Sequence, residues 1–124
     1  MEVIWSTFYK LNEESVRSNA PEAAGVYLLW VKLTAGGWRC FYVGQAENIR
    51  ERLLIHCSLA EPNECIKKKA QRYICGYVYA KVARQTDRDG IEKFLYDYYK
   101  PECNIKDPGG TPIAVNLPQI ISVD

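Results

Sequence analysis

No apolar run in this chain approaches the roughly 18 residues that a membrane-spanning helix needs, so no membrane partner is expected. The N-terminus, MEVIWSTFYK, lacks a basic segment followed by an apolar one and does not read as a secretory signal. Internal repeats and low-complexity segments are absent, which sets aside solenoids and disordered linkers. No GK[ST] follows a glycine turn, so a nucleotide-binding P-loop is excluded. The cysteines (Cys40, Cys57, Cys65, Cys75, Cys103) are five in number, an odd count without a CxxC pair. That pattern leads to an expectation of reduced thiols in a cytoplasmic setting rather than a disulfide framework. His56–Cys57 with Cys65 and Cys75 fits no common zinc module either.

What is present suits one α+β domain over residues 1–124, a length that can bury a core without covalent staples. The net charge is only +1, but it is unevenly placed. Residues 50–88 hold nine Lys/Arg against four acids, a local excess of about five positive charges. Arg50, Lys67, Lys68, Lys69 and Arg72 lie in this segment and could follow a phosphate backbone. A solvated helix face explains such a run equally simply, so the patch supports a nucleic-acid reading without establishing one.

Residues 1–20 read as a strand or extended arm from Val3 to Tyr9, then a short helix from Asn12 to Ser18 with Asn12 as its N-cap. In "GVYLLWVKL" both alternating faces are apolar, as in a central strand covered on both sides. "TAGG" signals a turn and "WRCFYV" the returning strand of a hairpin. A glycine turn at Gly44 is expected to lead directly into a helix reaching about Ser58. A second helix would have Pro62 in its first turn and end near Arg72. "YICGYVYAKV" gives a third strand. "TDRDGIEKFLYDYYKP" gives a last helix starting at Asp87 or Asp89 and stopping before Pro101. Residues 105–124 form a Pro/Gly-rich tail. The expected order is β-β-α-α-β-α around a three-stranded antiparallel sheet.

Several polar residues stand out against this frame. Tyr27 and Tyr42 share a sheet face if the loop between their strands has an even number of residues, and two or four around Ala35 to Gly37 would serve. A plain cross-strand aromatic pair is the simpler explanation. Arg52 and His56 sit at i and i+4, neighbours on one helix surface; the simpler explanations are an ion pair with Glu51 or Glu47 and a surface or half-buried histidine near a helix end. Glu92, three residues after Asp89, matches the capping-box spacing, yet a lone carboxylate on a rigid helix could also hold Mg²⁺.

Taken together, Gly25 and Tyr27 of "GVY", Tyr42 and Gly44 of "YVG", Arg52, His56, Glu92, and Asn104 at the end of "PECN" resemble the GIY-YIG nuclease family. The intervals are similar to those of the nuclease domain of the excinuclease C type. Arg52 lies ten residues and His56 fourteen after Tyr42, and Asn104 lies twelve after Glu92. The resemblance covers residues 25–104.

It implies endonucleolytic hydrolysis of DNA phosphodiester bonds with one divalent ion, Mg²⁺ or Mn²⁺, bound by Glu92. It also implies charge stabilisation by Arg52, and Tyr27 as general base aided by Tyr42 and His56. A phenol is mostly protonated at neutral pH, which makes His56 the rival base on chemical grounds. Asn104 would position the second tyrosine or a loop of the site. Gln45, a candidate nucleic-acid contact alongside the basic residues, stands where some members carry a lysine that can assist the leaving group, and the interval from Tyr27 to Tyr42 is longer than usual. DNA is the implied partner, with specificity that is weak, directed to DNA structure, or supplied by a partner protein. The alternative is a nucleic-acid-binding module of the same fold that cuts little, its aromatic residues stacking on bases.

Overall fold

A computed structural model describes residues 1–120. The chain is α+β, with elements β1 (Tyr9–Lys10), α1 (Glu13–Asn19), β2 (Gly25–Lys32), β3 (Trp38–Ala46), α2 (Ile49–His56), α3 (Glu64–Arg72), β4 (Cys75–Lys81) and α4 (Gln85–Tyr99). Among the described residues there is one antiparallel sheet of four strands in the order β1-β4-β2-β3, rather than the three expected. The extra strand is β1, which pairs Tyr9 and Lys10 with Tyr77 and Gly76. It begins at the last residue of the stretch read as a strand or extended arm, which the expected sheet had not included.

The strand β2 is central, and its residues from Gly25 to Val31 are all buried. Its side chains feed two cores. Tyr27, Leu29 and Val31 join Val16, Ile49, Leu53 and Ile66 under α1, α2 and α3. Val26, Leu28 and Trp30 join Ile91 and Leu95 of α4 on the other face. A sheet sandwiched this way has its faces in communication only around an edge, and β3 is the edge strand on the side of both α2 and α4.

Asparagine caps three of the helices. The side chains of Asn12, Asn48 and Asn63 accept from the backbone N–H of Ser15, Glu51 and Ile66 at 2.8, 3.0 and 3.1 Å. These caps correct two expected boundaries. Gly44 is no turn: β3 runs through it to Ala46, and α2 starts only at Ile49. Pro62 precedes the Asn63 cap instead of sitting inside α3. The last helix starts at Gln85, before Asp87 and Asp89, with no side-chain cap on its first turn. The buried Arg88 secures that end, donating to the carbonyls of Val82 and Ala83 at 3.1 and 2.8 Å.

The hairpin also departs from expectation. Lys32 pairs with Trp38, so the loop Leu33 to Gly37 has five residues, with Gly36 and Gly37 at φ 96° and 82°. An odd loop would put Tyr27 and Tyr42 on opposite faces. A bulge restores the parity: Trp30 pairs with Cys40 and Leu29 with Tyr42, leaving Phe41 as the additional residue. Beyond the bulge Tyr27 pairs with Gly44, and Tyr42 lies diagonally across on the same face.

Cys65 and Cys103 form a disulfide, against the expectation of reduced thiols throughout. An odd cysteine count does not reveal a pair whose members are 38 residues apart. Cys40, Cys57 and Cys75 are free, and burial pushes each thiol up to about 12, which makes them poor nucleophiles. The bridge fastens α3 to the segment covering the outer edge of β3, where Cys103 N–H donates to Phe41 O at 2.9 Å. A closed loop of this 38-residue separation is worth about 4 kcal/mol through the unfolded chain. Cys65→Ser with Cys103→Ser is therefore expected to lower unfolding stability by about that amount in urea melts, and dithiothreitol should bring the wild-type protein close to the same midpoint.

Candidate functional site

Gly44 sits in β3 opposite Tyr27, and its value is space rather than a turn. A Cβ there would lie 2.5 Å from both the Cζ and the hydroxyl of Tyr27. Gly25 is constrained in the same way, since a Cβ would stand 2.2 Å from the Ala80 carbonyl oxygen. Gly44→Ala is expected to displace a fully buried phenol ring and cost about 2 kcal/mol of stability in denaturant melts. The near-UV circular dichroism of the tyrosines should change with it.

The cleared space lets three rings meet. Tyr27 and Tyr42 have centroids 6.2 Å apart, and His56 lies 5.5 Å from Tyr27 and 5.4 Å, edge-on, from Tyr42. The Tyr27 hydroxyl is 2.7 Å from His56 Nε2, and His56 Nδ1 is 3.0 Å from Glu61 Oε2. Asn63 N–H donates to the other Glu61 oxygen at 3.2 Å. The sole histidine is thus a buried link between a phenol and a carboxylate, not a surface residue. Glu61 had no sequence signal beyond being a carboxylate in the loop after the only histidine.

Electrostatics knit these groups to the rest. Burial holds the Tyr27 phenol well above its ordinary pKa; the Tyr42 phenol adds to this and Arg52 pulls against it. Burial also raises Tyr42, while Arg52 lowers it and the carboxylates of Glu92 and Glu61 raise it. Burial favours protonation of Glu61, but the hydrogen bond with His56, the Asn63 N–H and the nearby Arg52 outweigh it, so its pKa lies below the usual value. Arg52 itself is exposed. It makes no ion pair or hydrogen bond through its side chain among the described residues, and neither Glu51 nor Glu47 engages it.

Glu92 comes from α4, on the opposite face of the sheet, and reaches the same region around β3. It is half-buried and shares a cleft of about 540 Å³ with Tyr42, Asn63, Asn104 and Lys106. None of these residues lines the larger hollow, about 700 Å³, between the N-terminal arm and the start of α4. Burial raises the Glu92 pKa, partly offset by a hydrogen bond from Gln45, with Asp89 adding repulsion.

Gln45 is the hinge of this side. Its Nε2 donates to Asp89 Oδ1 at 2.9 Å and Glu92 Oε1 at 3.0 Å. Its Oε1 accepts from Gln85 at 2.8 Å and Arg88 Nε at 3.4 Å. Glu92 is therefore held by a side chain from the sheet and does not cap the helix. Its Oε2 takes no hydrogen bond from the described residues, leaving an open oxygen donor. A hard divalent cation that uses one carboxylate, or two, and keeps its waters fits this donor set. Among the described residues no cluster of three or more metal-ligating side chains exists.

Asn104 closes the outer edge of β3. Val43 N–H donates to its Oδ1 at 3.0 Å and its Nδ2 donates to Val43 O at 2.8 Å, so the amide mimics a neighbouring strand beside Tyr42.

The basic residues are less unified. Arg50 is occupied within the chain, by Ala20 O at 2.8 Å and Glu22 at 2.9 Å. Lys69 pairs with Glu102 at 3.1 Å and lies over the Tyr73 ring. Lys67, Lys68 and Arg72 make no ion pair among the described residues and lie on α3, the helix that the cleft residue Asn63 caps. No helix among the described residues is long and apolar enough to cross a membrane. Comparison of the chain with family models, with curated proteins and with solved structures found no match, so the geometry of the site is what supports a function.

Proposed function

We propose that this chain is a divalent-metal-dependent endonuclease that hydrolyses DNA phosphodiester bonds, acting through a GIY-YIG-like site. The observation that carries the reading is a convergence around one sheet edge. A guanidinium with no partner among the described residues, a carboxylate with an open oxygen, and a buried phenol–imidazole pair with the Tyr42 phenol beside it come from α2, α4, β2 and β3. An ion pair and a stray histidine, the simpler explanation of Arg52 and His56, does not account for the hydrogen bond between Tyr27 and His56.

Glu92 would hold the cation, with Asp89 the neighbouring carboxylate across the Gln45 amide. A bound divalent ion supplies charge neutralisation at the scissile phosphate. Arg52, exposed and uncommitted, meets the charge that grows on the phosphoryl oxygens. Tyr42 lines the cleft beside Glu92, and Tyr27 stands behind it with its hydroxyl on His56. The tyrosine pair takes the proton of the attacking water, and Asn104 keeps the Tyr42 segment of β3 in place through Val43.

A panel of plasmid, nicked, flapped and four-way DNA, each with Mg²⁺ or Mn²⁺, tests the reading. Metal-dependent cutting of at least one substrate is expected. Salt-dependent DNA binding with no cutting across the whole panel would instead assign the chain to nucleic-acid binding alone.

A further inference from the structure

We propose that Glu61 is a positioning residue that fixes the tautomer of His56, so that His56 Nε2 is the acceptor for the Tyr27 proton. This rests on the nuclease reading for its catalytic consequence, but the tautomer itself does not. An ionised carboxylate only accepts hydrogen bonds, so the 3.0 Å contact from Glu61 Oε2 to Nδ1 requires the proton on Nδ1. The neutral ring then presents a bare Nε2 to the Tyr27 hydroxyl at 2.7 Å. Glu61 is well suited to the task. It is only 5% exposed, its second oxygen is held by the Asn63 N–H, and it comes from a loop that the Asn63 cap joins to α3.

The proton traffic balances. As the water oxygen bonds to phosphorus, its proton passes to the tyrosine pair and the Tyr27 phenolic proton moves to His56 Nε2. The bond from phosphorus to the leaving oxygen breaks, and that oxygen takes a proton from solvent. The imidazolium left behind is neutralised by Glu61 and returns its proton to solvent after turnover. Without Glu61, Tyr27 would have no oriented acceptor behind it.

Glu61→Gln is a near-isosteric test with a directional outcome. The Asn63 N–H still needs an acceptor, so the amide oxygen stays with it and the amide nitrogen faces His56 Nδ1. The ring must then carry its proton on Nε2, where it donates to the Tyr27 oxygen and can no longer accept.

Because His56 is the only histidine, two-bond ¹⁵N–¹H spectra of the labelled metal-free protein read its ring without ambiguity. The wild-type protein should show a protonated Nδ1 and a bare Nε2 at pH 8, and Glu61→Gln the reverse. In cleavage assays Glu61→Gln should lose about 10²-fold or more in kcat with KM within twofold, as expected for a histidine held in the wrong tautomer. A wild-type ring protonated on Nε2, or on both nitrogens, overturns the proposal, as does a Glu61→Gln ring unchanged from wild type. Since the spectra require no activity, a correct tautomer in a protein that cuts nothing would remove the nuclease reading and leave the Glu61–His56 assignment standing.

Discussion

Glu92→Gln is expected to lower metal-dependent cleavage by at least about 10³-fold, the equivalent of about 4 kcal/mol of transition-state stabilisation. The fold should not suffer. Burial, and after it repulsion from Asp89, holds the Glu92 carboxyl above its ordinary pKa, so the charged form is less comfortable in the folded chain than in the unfolded one. The sign follows from linkage. A raised folded pKa means that the native state binds the proton more tightly, and stability falls as pH rises from the ordinary carboxylate range through the folded pKa. A neutral amide carries no such cost. Glu92→Gln should therefore melt at or above the wild-type temperature at pH 7, and the difference should vanish in acid below the ordinary carboxylate range. Activity lost while stability is kept or gained is the signature of a carboxylate retained for what it binds. Metal titration followed by protection from thermal unfolding checks the same point without DNA: Mn²⁺ should stabilise the wild type and leave Glu92→Gln unmoved.

Arg52→Ala is expected to reduce cleavage by about 10² to 10³-fold, the range for removing one donor aimed at developing charge. Its structural cost should be small, because the side chain is exposed and makes no ion pair or hydrogen bond among the described residues. Surface substitutions of this kind usually fall within about 0.5 kcal/mol. A second consequence is electrostatic. Arg52 lowers the pKa of both Tyr27 and Tyr42, so its removal should shift tyrosinate formation to higher pH in an ultraviolet titration. Arg52→Lys keeps the charge but loses the planar fork, and it should recover the titration more fully than the cleavage. Single-turnover kinetics on a DNA substrate check the rate, and the titration reports whether Arg52 faces the phenols as described.

The parts of the fold that could be read from sequence were those with a repeating signal. The two-sided apolar pattern of "GVYLLWVKL" identified the central strand, and the glycines of "TAGG" marked a turn that takes positive φ at Gly36 and Gly37. Asn12 could be read as a cap because a helical run follows it. Single-residue devices were not legible. The bulge at Phe41 leaves no mark in the apolar pattern, yet it decides which face Tyr42 occupies. Gly44 looks like a turn because glycine usually is one, whereas here it makes room for the Tyr27 ring. Arg88 secures the start of α4 from inside the helix, so the aspartates that resemble caps lie beyond it.

At the site, the residues quoted from the motif come together in space, but the ones that hold them in place do not share a motif. Glu61 reaches His56 from an irregular loop, and Gln45 reaches Glu92 from an edge strand. Neither contact has a periodic spacing, and each depends on tertiary packing. The Cys65–Cys103 bridge was hidden for a related reason, since five cysteines offer many pairings and only the approach of α3 to the segment after α4 selects one.

The most direct measurement of the central claim is incubation of supercoiled plasmid with the purified wild-type chain, in Mg²⁺ and again in EDTA, with Glu92→Gln alongside. A nuclease whose cation sits on Glu92 gives nicked or linear product in Mg²⁺, none in EDTA and none from Glu92→Gln. Cutting that persists in EDTA, or that Glu92→Gln retains at the wild-type rate, would contradict the claim.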